Sequence, residues 1–108
     1  SQYIDTLKDW DYVSQEGPVY FEGEVDRIYE TGEALTVVTP SGKRKLTSVG
    51  SDSTVVWNPG PGKAQRLSDF PDSAWQKMLC VETANAASDY RVLNEGQSHT
   101  MGVFIGRA

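Results

Sequence analysis

The sequence predicts an all-β, antiparallel protein of about eight strands, and three observations lead there. Short runs rich in β-branched and aromatic residues recur along the chain, at 19–21, Val25–Tyr29, Leu35–Thr39, 45–49, 54–57, 78–82, 89–93 and 99–105. Gly, Pro, Asn and Ser clusters separate them, as at Pro40-Ser41-Gly42-Lys43, Gly50-Ser51-Asp52-Ser53 and Asn94-Glu95-Gly96. One stretch alone reads as a helical turn, residues 72–77, with Pro71 near its start and Asp72 or Ser73 placed to cap it.

In chain order, residues 1–17 mix Tyr3, Trp10 and Tyr12 with Asp5, Asp9, Asp11 and Glu16 without a clean period. They read as a connector closed by Gly17-Pro18, and residues 18–108 as a single domain. A meander follows, with a hairpin over residues 35–49 whose basic tip, Lys43-Arg44-Lys45, reads as a solvated turn. The strand at 54–57 stops at Asn58-Pro59-Gly60-Pro61-Gly62, where two prolines remove donors and two glycines relax the backbone. This run lacks the Gly-Lys-Ser/Thr ending of a phosphate-cradling loop.

Composition narrows the function classes. A chain of 108 residues holds one domain at most, and a net charge of −5 argues against gripping nucleic acid by its phosphates. No apolar run has membrane-spanning length, and the N-terminus lacks a signal-peptide pattern. Cys80 has no disulfide partner in the chain and reads as a small buried hydrophobe. The expected location is the cytoplasm, an organelle being compatible too. The start at Ser1, without an initiator Met, reads as the middle of something larger.

His99, the single histidine, enters a strand from a polar turn and reads as an exposed structural residue. Neither a metal site nor a Ser/His/Asp arrangement can be assembled around it, so no metal and no cofactor are expected. Two carboxylates stand out. Glu82 ends the apolar run Met78-Leu79-Cys80-Val81, which reads as a strand buried on both faces. A carboxylate there is either paired or held partly desolvated for proton chemistry, and spacing alone favours pairing. Asp26 sits between Val25 and Ile28 in a β-like run where Asp is disfavoured. Either Arg27 or a turn partners it, or it is an acceptor for a polar ligand such as a sugar.

Four stretches in order carry a family resemblance: Phe21-Glu22-Gly23-Glu24-Val25-Asp26-Arg27-Ile28-Tyr29, Val55-Val56-Trp57-Asn58-Pro59, Leu67-Ser68-Asp69-Phe70 and Met78-Leu79-Cys80-Val81-Glu82-Thr83-Ala84. From Tyr3 onward the chain resembles the C-terminal part of the hexose-6-phosphate mutarotases (glucose-6-phosphate 1-epimerases) of the galactose-mutarotase-like superfamily. The resemblance implies an antiparallel β-sandwich, part of a β-supersandwich, and interconversion of the α and β anomers of hexose 6-phosphates. A base takes the C1 hydroxyl proton, an acid protonates the ring oxygen, the ring opens, C1–C2 rotates and the ring recloses. By resemblance Glu82 is the base, Asp26 binds sugar hydroxyls, and Trp57 and Asn58 belong to the substrate site as support of its edge.

The general-acid His and most phosphate-holding arginines of that family belong to an N-terminal half that this sequence does not contain. His99 matches a position after the family's last turn and does not replace that acid. The expectation is therefore a fragment carrying the base half of the site, inactive alone. Alternatives are a subunit completed by another chain, or a catalytically inactive carbohydrate-binding or assembly module. The missing half, a partner chain or self-association is expected to cover the exposed sheet face. Light scattering checks this: the isolated chain is expected to run heavier than a monomer, and a well-behaved monomer counts against it.

Overall fold

A computed structural model describes residues 1–68 and 71–108. Among them the chain forms eight strands: β1 (Gln2–Asp5), β2 (Asp11–Ser14), β3 (Val25–Tyr29), β4 (Leu35–Thr39), β5 (Gly42–Val49), β6 (Ser53–Asn58), β7 (Cys80–Ala84) and β8 (Gly102–Arg107). A short helix, α1 (Gly60–Ala64), and 3-10 turns at Ala74–Lys77 and Ala87–Asp89 complete them. The strands make a five-stranded sheet in the order β2-β1-β3-β6-β7 and a three-stranded sheet in the order β4-β5-β8. The all-β, antiparallel class is as expected. The order is not a meander, because β4 and β5 leave between β3 and β6 to form the second sheet. No helix among the described residues is long and apolar enough to cross a membrane. The chain divides into two compact units, Ser1–Tyr29 with Val55–Glu82, and Glu30–Thr54 with Thr83–Ala108.

In the first unit, residues 1–17 are not a connector. β1 and β2 form a hairpin with Tyr3 opposite Val13 and Ile4 opposite Tyr12, and β1 pairs with β3 through Ile4 and Ile28. Tyr3 and Ile4 are buried with Val25, Ile28, Val56 and Ala64, so this segment supplies part of the core. Asp5 shapes its turn: its carbonyl accepts the Lys8 and Trp10 N–H groups at 3.0 and 3.1 Å, and its carboxylate accepts the Leu7 N–H at 3.0 Å. Asp9 and Trp10 then take φ of 54° and 61°. A tryptophan in the left-handed region is strained, and nothing in that residue type announces a turn.

Residues 19–21, expected as a strand, form none. Bounded by Pro18 and Gly23, the run is too short to extend a ladder, and Tyr20 is exposed. The Asn58-Pro59-Gly60-Pro61-Gly62 run, expected as plain loop, turns into α1 instead. Pro61 lies in its first turn, where a missing N–H costs nothing. Gly60 enters at φ 66°, and a Cβ there would lie 2.4 Å from the Glu24 nitrogen. The expected helical turn exists as the 3-10 turn Ala74–Lys77, with Ser73 at its cap position but making no side-chain cap bond. Asp69 and Phe70 of the third family-like stretch lie outside the described residues.

In the second unit, β4 and β5 form the expected hairpin, Leu35 opposite Leu46 and Thr39 opposite Gly42, with Lys43, Arg44 and Lys45 exposed. β8 pairs with β5, Leu46 opposite Ile105. It starts at Gly102, later than expected, and residues 89–93 are not a strand. His99 is exposed, and its Nε2 donates to the Gly50 carbonyl at 2.7 Å. Val38, Phe104 and Ile105 are all about two-thirds exposed, a large apolar area on so small a sheet.

This unit is tied together by Asp89, which is buried. Its Oδ2 accepts from the Asp52 N–H at 2.8 Å and the Asn85 amide at 3.0 Å, and lies 3.1 Å from the Ser53 hydroxyl. Oδ1 pairs with Arg91 at 2.8 Å. Burial pushes the Asp89 carboxyl up, but the bonds from Asn85, Asp52 and Ser53 and the Arg91 charge outweigh it, and the net shift is below the ordinary 3.8. A depressed carboxyl stabilises the fold fully above the unfolded value and loses that contribution as pH falls through the folded value.

Urea titrations at a series of pH values should therefore show stability falling as pH drops below about 4, with Asp89→Asn flattening that slope. At neutral pH Asp89→Ala should cost about 2–4 kcal/mol, because the Asp52 N–H, the Asn85 amide and the Arg91 guanidinium lose their acceptor. Gly60→Ala should cost a comparable amount in the same assay, from both the left-handed φ and the clash with Glu24.

Candidate functional site

All four residues expected at the site, Asp26, Trp57, Asn58 and Glu82, lie in the first unit on three neighbouring strands. β6 runs between β3 and β7, so the carboxylate-bearing strands are two spacings apart, about 10 Å. Asp26 is the second residue of β3, partly buried. Its backbone is held, since its carbonyl accepts both the Thr6 N–H and the Thr6 hydroxyl at 3.0 Å. Its carboxylate has no hydrogen-bond or ion-pair partner among the described residues.

Arg27, the local partner that would have made Asp26 structural, is committed elsewhere. Its guanidinium donates to Gln15 Oε1 at 2.9 Å and lies 4.1 Å from the centre of the Tyr3 ring. Tyr29 lies against Tyr3 at a centroid distance of 5.3 Å. The alternation of β3 puts Arg27 and Tyr29 on one face and Asp26 on the other.

Glu82 corrects an expectation. The strand that carries it is not buried on both faces: no residue of β7 is fully buried, and Glu82 is exposed. Among the described residues β7 is the last strand of its sheet, and Met78 and Leu79 precede it as half-buried chain outside the strand. Cys80 is half-buried, not enclosed. Like Asp26, the Glu82 carboxylate has no partner among the described residues. Neither of the alternatives read from spacing, a paired carboxylate or a desolvated one, describes it.

Asn58 is 1 % exposed, and its amide is fully engaged. Nδ2 donates to the carbonyls of Trp75 and Met78, both at 2.8 Å, and Oδ1 accepts the Gly60 N–H at 2.9 Å. Both amide hydrogens are thus taken up by backbone carbonyls, which leaves this side chain no free donor. Trp57 is half-buried, with the Lys63 ammonium 5.8 Å from its ring centre and 3.4 Å from Glu24.

Glu24, Gly60 and Lys63 were not singled out by sequence reasoning. Only Gly60, inside a Pro-Gly-Pro-Gly run, carried a legible signal. Among the described residues no group of three or more His, Cys, Asp or Glu is arranged to hold a metal ion. Chemically, the sheet carries two uncommitted carboxylates, Asp26 on β3 and Glu82 on β7, groups able to accept hydrogen bonds from hydroxyls and to take up a proton.

The chain matches the aldose 1-epimerase family over residues 3–104. It is 36% identical over 86 residues to a protein of Cenchrus ciliaris named "Putative glucose-6-phosphate 1-epimerase", an alignment covering 76% of this chain and 26% of the relative. Proteins of the same name from Escherichia coli (strain K12) and Salmonella typhimurium are each 29% identical. Those alignments cover 91% and 90% of this chain, and 35% and 34% of the relatives. The chain thus spans about a third or less of the length of these relatives. No solved structure matches it. With a match running from the first strand to the last, on an antiparallel β architecture, the chain belongs to the aldose 1-epimerase family.

Proposed function

We propose that this chain contributes the base half of a site that interconverts the α and β anomers of a hexose 6-phosphate. The observation that carries the reading is the pair of uncommitted carboxylates, Asp26 and Glu82, on strands of one sheet in a member of this family. Glu82 takes the C1 hydroxyl proton. Asp26, on a strand anchored by Thr6, accepts hydrogen bonds from sugar hydroxyls. Trp57 offers an apolar ring at the edge, and Asn58 holds the loop beneath it. Deprotonating the C1 hydroxyl pushes electrons toward C1 and expels the ring oxygen, which needs a proton as the C1–O5 bond breaks. That acid, and the groups that grip the phosphate, come from the part of the fold found in the longer relatives. Without them the proton-transfer step loses a factor of about 10²–10⁴.

In a second reading the same two carboxylates serve only as hydrogen-bond acceptors, and the site binds a sugar phosphate without turnover. Anomer exchange of glucose 6-phosphate, followed by NMR in the protein containing this chain, separates the two. Glu82→Gln should lower kcat about 10²-fold or more with little change in KM. Asp26→Asn should raise KM more than it lowers kcat. Equal exchange rates in wild type and Glu82→Gln remove Glu82 from the mechanism, and saturable binding without exchange selects the second reading. Both substitutions should leave stability within about 0.5 kcal/mol, since neither carboxylate holds a partner in the fold.

A further inference from the structure

We infer that Asn58 is a positioning residue, a clamp that sets the placement of the Asp26 and Glu82 strands relative to each other. The inference rests on the assignment of those two carboxylates to one site. Three contacts made by a single loop carry it. The Asn58 amide nitrogen holds the carbonyls of Trp75 and Met78, and Met78 stands two residues before β7 and four before Glu82. Its amide oxygen holds the Gly60 N–H. Gly60 in turn presses on the Gly23–Glu24 peptide, with so little room that a Cβ would lie 2.6 Å from the Gly23 carbonyl carbon and 2.4 Å from the Glu24 nitrogen. Glu24 immediately precedes β3 and stands two residues before Asp26. Lys63 of α1 adds an ion pair to the same Glu24 at 3.4 Å.

One buried carboxamide therefore reaches toward both carboxylates, through Met78 in one direction and Gly60 in the other. Only Asn fits both directions. Two N–H donors face two carbonyls and one oxygen faces an N–H, and at 1 % exposure no water is at hand to replace a missing partner. Asp in this place would keep the acceptor for Gly60 and lose both donors. Leu would fill the volume and leave all three backbone groups unpaired.

This asymmetry provides the test. Hydrogen exchange is measured by NMR on wild type, Asn58→Asp and Asn58→Ala, with Ser88→Ala in the other unit as control. In Asn58→Asp the amides of β7 should exchange about tenfold faster or more, while the Gly60 amide keeps its protection. In Asn58→Ala both should lose protection. A uniform acceleration over the whole first unit, or wild-type exchange in Asn58→Ala, overturns the clamp. Should the alanine variant not fold, wild type decides alone: the two Asn58 side-chain protons must exchange slowly and show separate couplings to the Trp75 and Met78 carbonyls, and rapid exchange or absent couplings overturns the clamp. In the anomer-exchange assay Asn58→Asp should lower kcat more than it raises KM. If wild type itself shows no exchange, the proposed function fails, and the hydrogen-exchange result still decides for or against the clamp.

Discussion

A carboxamide shut away from water must find a partner for each of its polar groups, and in the first unit that requirement falls on Asn58. Burying an unpaired amide costs on the order of 1–3 kcal/mol, a large share of the stability of a small domain. Once Asn58 is buried at the end of β6, the chain has few ways to satisfy it. The 75–78 segment must come back to present two carbonyls, and residue 60 must turn to present an N–H. The left-handed Gly60 follows, and with it the close approach to Gly23 and Glu24. The start of α1 and the entry to β7 are tied to one side chain.

The second unit uses the same physics with a charge in place of an amide. Asp89 draws the Asp52 N–H, the Asn85 amide and Arg91 onto one carboxylate, while Ser51 and Ser53 bond the Ala84 carbonyl. Polar centres of this kind matter here because, among the described residues, the buried hydrophobic side chains Tyr3, Ile4, Val25, Ile28, Val56 and Ala64 all belong to the first unit. Hydrophobic burial has no direction, whereas a hydrogen-bonded hub accepts only one arrangement of the segments around it.

Against that background the two proposed site carboxylates are distinctive for what they lack. Among the described residues, no buried side-chain nitrogen or oxygen goes without a partner. Asp26 and Glu82 sit outside that economy, on strands held firmly by other bonds. Their freedom is what separates them from Asp5 and Asp89, which are acidic residues of the same chain committed to shaping turns.

The sequence by itself determined the antiparallel β class, the β4–β5 hairpin, strands β3 and β6, and the resemblance that picks out Asp26 and Glu82. Those features are local: alternation, β-branched runs and turn residues are read within a few neighbours. Tertiary structure decided the rest. Residues 1–17 became a core hairpin because β3 offered an edge to Ile4, and the turn relied on a strained Trp10, a residue with no turn signature. The exposure of Glu82 was set by what folding packs against β7, which no count of apolar residues reveals. The role of Asn58 was hidden for the same reason. Its partners lie two, 17 and 20 residues away, and what a buried amide does is set by the groups that folding brings to it.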